Sequence, residues 1–415
     1  MGVHPRPAAA AAPVRTGRAG RTLLGYLLVP RPKDLVKAVV APLAFGVGVV
    51  AAPGAARTGV GLALVVWLAL ELLVYQARYQ WNDVRGFAAD QAHPDAASRG
   101  RLPGPASRAR SHVAASLGVL FLRLLLTAGL AVAVPRLAVP LIVMTVGVFG
   151  AAAVYERLRT AATGATSQVP VPLRPALLGL WVVVGAGYAV RGTVGLGLAV
   201  DLQERPGTAA VAVVAMWASG VLFVTCRWAL EALCLAEVDG QRPAEVDGQC
   251  PAEVDGRRIL WQVRPEQARE HTLGLVRWLP ARLPDDDGTP RSWRALRGRT
   301  PLGAPWNLAL VAAAGSAALL GRLLLGQGGA GAAALTLLLG ALAGLAVAVL
   351  PAARPAAVLV LGLALAGVQA VLGVDRPLAA VVPWLVVLLL HACSTGQCAD
   401  DVGRPLRRLQ PPPSR

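Results

Sequence analysis

The chain has 415 residues, of which 55% are hydrophobic and only 15% are charged. A soluble globular domain carries about 25% charged residues, so this composition excludes a soluble enzyme, a disordered scaffold and a small secreted disulfide module. The apolar residues form continuous blocks, close in length to the ~20 residues that a helix needs to cross a bilayer. The composition therefore predicts a helical protein with many membrane spans.

The net charge is +17, and the Arg residues that carry it lie mainly in the gaps between the apolar blocks. A basic balance is common among nucleic-acid-binding proteins. Here it is explained by the enrichment of cations in cytoplasmic loops and by anionic lipid headgroups. We therefore predict membrane association and no nucleic-acid partner. Because Arg-rich gaps alternate with nearly Arg-free ones, we also predict an integral protein of the cell membrane with both termini in the cytoplasm.

Ten apolar blocks are candidate membrane spans, since the strands of a membrane barrel would be shorter and alternating. The blocks are 35–53, 58–80, 112–134, 138–154, 175–200, 208–233, 305–325, 330–350, 355–374 and 377–392. They predict an all-α membrane bundle of about nine or ten transmembrane helices. The predicted regions are a disordered basic arm at 1–30, membrane helices at 31–233, a cytoplasmic loop at 234–304, membrane helices at 305–393 and a cytoplasmic tail at 394–415.

The long loop at 234–304 contains tandem copies of the pattern AEVDG within residues 236–258. Copies this similar are typical of a solvated loop. The alternative is a metal role for Asp239, Asp247 or Asp255, but the three copies cannot all be required for it. After the repeats, residues 261–279 place apolar residues near helical spacing among several basic ones. This pattern predicts an amphipathic helix at the membrane surface.

The polar residues with the clearest chemical meaning follow the second apolar block. Asp83 and Asp90 are seven residues apart, so they share one face of a helix, and Asn82 precedes them. Two carboxylates and an amide suit Mg²⁺, which is usually held by one or two carboxylates together with substrate phosphates. Arg99 and Arg101 lie just beyond and are suited to bidentate binding of phosphate oxygens.

Charged residues inside the apolar blocks indicate that the spans enclose a polar cavity. A charged side chain is costly within a bilayer, so each one is a functional candidate by default. Charged residues of this kind include Glu71, Arg123, Arg191, Arg227 and Glu231.

The motif after the second block resembles the first signature of the UbiA-type intramembrane prenyltransferases. It consists of Asn82-Asp83-Val84-Arg85, Asp90, His93-Pro94 and Arg99. In its residues and their spacing, the motif is most similar to the branch of the family that transfers phosphoribosyl to decaprenyl phosphate. The family normally has a carboxylate where this chain has Gly86, so one expected Mg²⁺ ligand is missing.

Four further segments resemble segments of the same family, in the same order. They are Arg31-Pro32-Lys33 with Lys37, Tyr155 to Arg159, Gly187-Tyr188 with Arg191, and Leu222-Phe223 with Arg227-Trp228 and Glu231. Together with the motif they cover residues 30–235, and they imply a UbiA-like fold.

The resemblance implies a transferase that moves a prenyl group from a polyprenyl diphosphate to an acceptor, with Mg²⁺ assisting the departure of diphosphate. The active site would face the cytoplasm, and the lipid chain would lie between the spans. The implied Mg²⁺ ligands are Asn82, Asp83 and Asp90. The implied catalytic residues are Asp83, Asp90, Arg191 and Arg227, and the implied substrate-binding residues are Lys37, Asn82, Arg99, Tyr155 and Glu231.

Three alternative functions stay open on the sequence alone. The residues of the motif are also compatible with phosphoribosyl transfer from phosphoribosyl diphosphate to a polyprenyl phosphate. Gly86 leaves open a catalytically impaired membrane subunit that binds lipid. A transporter would also combine many spans with buried charge, although the blocks show no internal symmetry of the inverted-repeat kind.

Overall fold

The computed structural model describes most of the chain. The described residues are 21–31, 37–51, 59–91, 100–162, 171–233, 237–238, 259–260, 270–279, 296, 300–326, 329–350 and 354–395. The predicted basic arm up to residue 20, the repeat residues 239–258 and the tail from residue 396 lie outside them.

The described chain is almost entirely helical. Its helices are α1 (Leu23–Leu28), α2 (Val40–Ala51), α3 (Val60–Arg85), α4 (Phe87–Gln91), α5 (Ala109–Ala133), α6 (Ala138–Ala161), α7 (Pro175–Ala199), α8 (Pro206–Leu233), α9 (Glu270–Leu273), α10 (Pro305–Leu324), α11 (Ala330–Val349), α12 (Arg354–Val371) and α13 (Pro377–Thr395). Two short antiparallel strands pair with each other. Strand β1 (Glu237–Val238) lies in the first copy of the repeat, and β2 (Ile259–Leu260) follows the last copy.

Each of the ten predicted blocks coincides with an apolar helix. Seven helices among the described residues are long and apolar enough to cross a membrane, namely α3, α5, α6, α7, α8, α10 and α11. Over their described residues α2, α12 and α13 are apolar but shorter. The all-helical class is therefore confirmed, with seven helices among the described residues that could cross a membrane, whereas nine or ten crossings and a UbiA-like arrangement stay predictions.

Helix α3, which carries the motif, packs against α5, α6 and α7. In the second half of the chain α10 is central, because it packs against α8, α11 and α13. The buried face of α10 is rich in Ala and Gly. Small side chains let helix backbones approach closely, which is how apolar helices associate where water provides no driving force.

The close approach of α10 to α13 gives a stability prediction. A Cβ added to Gly321 would overlap the carbonyl oxygen of Ala380, so the helices must separate to accept Gly321→Ala. We expect this variant to lose about 3 kcal/mol of unfolding free energy, as for a severe overpacking change. Gly331→Ala is the matched control, because nothing lies within 4 Å of a Cβ at that position. Equal thermal unfolding of both variants in detergent would show that α10 and α13 do not pack this way.

Arginine side chains close helix ends at the end of the bundle opposite the motif. Arg205 donates to a carbonyl at the end of α10 (3.3 Å), Arg322 to one just after α12 (3.4 Å) and Arg376 to one at the end of α2 (3.2 Å). The last carbonyls of a helix lack partners within it and attract cations. These arginines therefore tie helix ends together.

Arg322 also belongs to a buried polar network between three helices of the second half. Its Nη1 donates to Gln369 Oε1 (2.9 Å), and the Gln369 amide donates to Thr336 (3.1 Å). All three side chains are buried. Because buried polar groups are costly when unpaired, this network fixes the relative positions of α10, α11 and α12.

The prediction of a surface amphipathic helix over 261–279 is wrong for its described part. Residues 270–279 form one helical turn and a short 3-10 turn. Most of these side chains are buried, including those of Glu270, His271 and Thr272, although Arg277 is exposed. The segment packs against α7 and α8, and Trp181 donates to the carbonyl of His271 (2.9 Å). The apolar side chains are therefore covered by protein. Helical spacing predicts an apolar face, but it does not show whether lipid or protein covers that face.

Candidate functional site

One face of helix α3 carries a stripe of polar side chains directed into the bundle. Glu71, Tyr75, Tyr79 and Asp83 follow one another at intervals of four residues, and residues four apart share a helix face. All four are buried, with exposed fractions of 1–7%. At ~1.5 Å per residue the stripe extends about 18 Å along the helix, from the motif towards the middle of the span.

The two carboxylates of the motif converge although they lie on separate helices. Gly86 interrupts the helix between them, so Asp83 belongs to α3 and Asp90 to α4. Asp83 Oδ1 lies 2.5 Å from Nη1 of Arg101, and Asp90 Oδ2 lies 3.8 Å from Nε of the same side chain. Both acids are buried. The guanidinium of Arg101 therefore lies beside both carboxylates.

Asn82 connects this pair to a third carboxylate, contributed by α6. In the orientation that satisfies both neighbours, its amide nitrogen donates to Glu156 Oε1 (3.0 Å) and its oxygen accepts from Arg101 Nη1 (2.7 Å). Glu156 Oε2 lies 2.9 Å from Arg159 Nη2 and 3.9 Å from Arg85 Nε. Each acid of the motif region thus has a cationic neighbour.

Cationic side chains surround Tyr79, one helical turn below the motif. The charged groups of Arg31, Lys37 and Arg78 lie 5.1, 5.5 and 5.4 Å from its ring centroid, within the range of cation–π attraction. Arg31 Nη1 also lies 3.7 Å from Asp83 Oδ1. Arg31 therefore links the acidic motif to the aromatic stripe.

Arg191 of α7 is held at the inner end of the stripe. Its Nε and Nη2 donate to the two carboxylate oxygens of Glu71 (2.7 and 3.1 Å), and Nη2 also donates to the Tyr79 hydroxyl (3.3 Å). Its guanidinium carbon lies 3.2 Å from the ring centroid of Tyr75. Glu71 lies in a π-helical turn, Ala69–Val74, a rare geometry that is frequent at functional sites. These contacts fix the orientation of the guanidinium.

Helices α6, α7 and α8 complete the site opposite α3. The rings of Tyr155 and Trp228 pack with their centroids 6.4 Å apart. Arg227 is exposed, and it interacts electrostatically with Tyr188, which also interacts with Arg191. The two arginines predicted to be catalytic therefore approach the same tyrosine.

We call this set of interacting residues the polar cluster. Its members are Arg31, Lys37, Glu71, Tyr75, Arg78, Tyr79, Asn82, Asp83, Asp90, Arg101, Tyr155, Glu156, Arg159, Tyr188, Arg191 and Arg227. The chain has five tyrosines. Four are members, and the fifth, Tyr26, interacts with Asp83.

The charges at the motif keep Arg101 ionised and Tyr26 neutral. Burial lowers the pKa of the Arg101 guanidinium, but the carboxylates of Asp83 and Asp90 raise it, and the net result is a pKa above the usual value. Burial and the Asp83 carboxylate both raise the pKa of the Tyr26 hydroxyl. Both groups are therefore hydrogen-bond donors at neutral pH.

The donor set at the motif suits a metal ion shared with a substrate. Among the described residues no group of three or more His, Cys, Asp or Glu side chains is arranged to hold a metal. Mg²⁺ commonly needs only one or two carboxylates when phosphates and water fill the other positions, and Asp83 and Asp90 supply these beside Asn82. A Cβ at Gly86 would lie 3.2 Å from Asp90 Oδ2, so a carboxylate at this position would stand beside the pair.

Most of the predicted site residues meet at the polar cluster. Those that do are Lys37, Asn82, Asp83, Asp90, Tyr155, Arg191 and Arg227. Arg99 lies outside the described residues, and for Glu231 the structure describes the backbone within α8 but not the side chain.

Sequence reasoning missed Glu156, Arg78 and the tyrosines of α3 as parts of the site. The interval of four between Glu71, Tyr75, Tyr79 and Asp83 was a usable signal, because it places these side chains on one face. Glu156 offered no comparable signal, since its approach to Asn82 depends on how α6 packs.

No family model matches the sequence, and neither a curated protein nor a solved structure matches it. The function proposed below therefore depends on the residues of the polar cluster and their contacts.

Proposed function

We propose that the protein is a UbiA-type intramembrane transferase that binds a diphosphate substrate with Mg²⁺ and transfers a prenyl group from a polyprenyl diphosphate to an acceptor. One observation carries the proposal: an unbroken line of contacts from Asp83 through Arg31 and Tyr79 to Arg191. It joins paired carboxylates to several cations inside a bundle of apolar helices. This combination suits a substrate with a charged head and a lipid tail.

The carboxylates at the Asp83 end of this line of contacts are suited to an Mg²⁺ ion that is shared with the diphosphate of such a substrate. Asp83 and Asp90, with Asn82, are the side chains that would hold Mg²⁺. The ion would supply charge neutralisation for the departing diphosphate. Arg101 now bridges the two carboxylates, and the same guanidinium is suited to a phosphate once those carboxylates have another cationic partner.

The cationic end of the line suits the phosphate oxygens of the leaving group. Arg31, Lys37 and Arg191 lie along the stripe within contact of Tyr79. Donors fixed in advance in a partly dry site stabilise developing negative charge more strongly than donors in water. The bidentate pairing of Arg191 with Glu71 provides such fixation. The Arg-rich gaps next to the motif favour a site that faces the cytoplasm.

A transfer assay tests the proposal directly. Purified full-length protein in detergent is incubated with MgCl₂, a labelled polyprenyl diphosphate and a panel of aromatic and lipid acceptors, with EDTA as the negative control. We expect labelled product that disappears in EDTA. Binding of Mg²⁺ and pyrophosphate without transfer would favour a catalytically impaired lipid-binding subunit. The absence of both transfer and binding would contradict the proposal.

A second candidate, phosphoribosyl transfer to a polyprenyl phosphate, is favoured by the depth of the polar stripe. Polar and charged side chains continue from Asp83 to Glu71, about 18 Å along α3, where a prenyl chain would need apolar walls. A parallel arm of the assay with labelled phosphoribosyl diphosphate and a polyprenyl phosphate separates the two candidates. Product in that arm alone would select the second.

A further inference from the structure

The hydroxyl of Tyr188 is buried inside the polar cluster and has no hydrogen-bond partner among the described residues. The neighbouring Tyr75 is different, because its hydroxyl donates to the carbonyl of Gly187 (2.6 Å). Buried polar atoms in folded proteins are nearly always paired, and an exception needs an explanation. The unpaired hydroxyl of Tyr188 is such an exception.

The surroundings of Tyr188 indicate what this hydroxyl meets. It interacts electrostatically with Arg191 and Arg227, and with the hydroxyls of Tyr75 and Tyr79. Two cations next to an unpaired donor favour an anionic oxygen as the missing partner. The Tyr188 ring packs against Phe223, with centroids 5.8 Å apart, so the hydroxyl is held in place.

The backbone also holds Tyr188 in this position. A Cβ at Gly220 of α8 would lie 2.7 Å from the Tyr188 side chain, so α8 packs directly on the ring. The ring therefore has little room to rotate towards another partner. A donor that is fixed before the ligand arrives loses little conformational entropy on binding, which favours affinity.

We propose that the Tyr188 hydroxyl donates a hydrogen bond to a phosphate oxygen of the bound substrate, between Arg191 and Arg227. This inference rests on the proposed function, because it assigns the hydroxyl to the diphosphate of that substrate. It makes Tyr188 a substrate-binding residue. The donor comes from the span that also supplies Arg191, so α7 contributes both a charge and a neutral donor.

Two Tyr→Phe variants test the inference because they remove hydroxyls with different partners. Tyr188→Phe should weaken the binding of Mg²⁺-pyrophosphate about tenfold or more, the range for a hydrogen bond to a charged group. Its thermal stability in detergent should equal that of the wild type or exceed it, since no protein partner is lost. Tyr75→Phe should lower the thermal stability, since it removes the bond to Gly187.

Titration calorimetry of pyrophosphate with MgCl₂ provides the affinities, and Ser316→Ala serves as the remote control. Among the described residues the Ser316 hydroxyl bonds carbonyls of its own helix α10, so this variant should bind pyrophosphate like the wild type. Unchanged affinity of Tyr188→Phe would overturn the inference while leaving the proposed function intact. A stability loss as large as that of Tyr75→Phe would also overturn it, because the hydroxyl would then be bonded within the protein. Failure of the wild type to bind pyrophosphate would contradict both proposals.

Discussion

Replacing Glu71 with Leu is expected to lower the free energy of unfolding by about 3–5 kcal/mol, as for other buried ion pairs that lose one partner. Glu71 is the carboxylate that pairs with Arg191 in the described structure, and Arg191 is only 2% exposed. Without Glu71 the guanidinium stays buried between apolar helices and keeps, among the described residues, its contacts with Tyr75 and Tyr79 but no carboxylate. Thermal unfolding in detergent measures the loss.

The double variant Glu71→Leu with Arg191→Leu separates the structural role of this pair from its role in binding. Apolar replacements of a whole buried pair are often neutral, so we expect the double variant to regain most of the lost stability. Transfer activity should remain at least about 100-fold below the wild type, because the fixed cation is absent. Glu204→Gln is the matched control at an exposed carboxylate. Recovery of activity in the double variant would exclude a binding role for Arg191.

Replacing Asp83 with Asn is expected to reduce transfer by about 100–1000-fold, the range for loss of a fixed electrostatic group in an active site. Asp83 is buried, and Arg101 and Arg31 both approach the same oxygen, Oδ1, at 2.5 and 3.7 Å. Asparagine keeps the shape of the side chain but not its charge. The half-saturating concentration of Mg²⁺ should therefore rise as the rate falls.

The structural cost of Asp83→Asn should be much smaller than that of Glu71→Leu. Arg101 keeps Asp90 and Asn82 as neighbours and is 23% exposed, so solvent compensates for part of the lost pairing. Asp201→Asn is the control, because the Asp201 carboxylate accepts from the backbone N–H of Gln203 (3.0 Å), an interaction that asparagine can retain. If Asp83→Asn transfers as fast as Asp201→Asn, the metal assignment at the motif is wrong.

The positions of the membrane helices could be predicted from the sequence because the bilayer restricts the backbone severely. Every backbone polar group must be paired within the lipid, so a long apolar block can only form a helix. The predicted ends were less accurate. The second block was predicted to end at residue 80, but α3 continues to Arg85. The block was bounded by its apolar residues, whereas the helix itself continues through the polar residues that follow them.

The residues of the site could be predicted only where they form a local pattern. Asp83 and Asp90 were identified from their spacing on one face, and the structure places both next to Arg101. The contact between Asn82 and Glu156 could not be predicted, because it joins α3 to α6. The pairing of Glu71 with Arg191 spans an even longer stretch of chain.

The amino-acid sequence is enough to predict an apolar helical chain with acidic residues at the end of its second span and charges inside its spans. These properties follow from local composition and from the periodicity of a helix. The tertiary structure was needed to show that Arg31 lies between Asp83 and Tyr79, that Arg191 is bound to Glu71 and that the Tyr188 hydroxyl has no hydrogen-bond partner among the described residues. The physical reason is that such contacts depend on which faces of distant helices meet, and small residues permit many pairings between apolar helices.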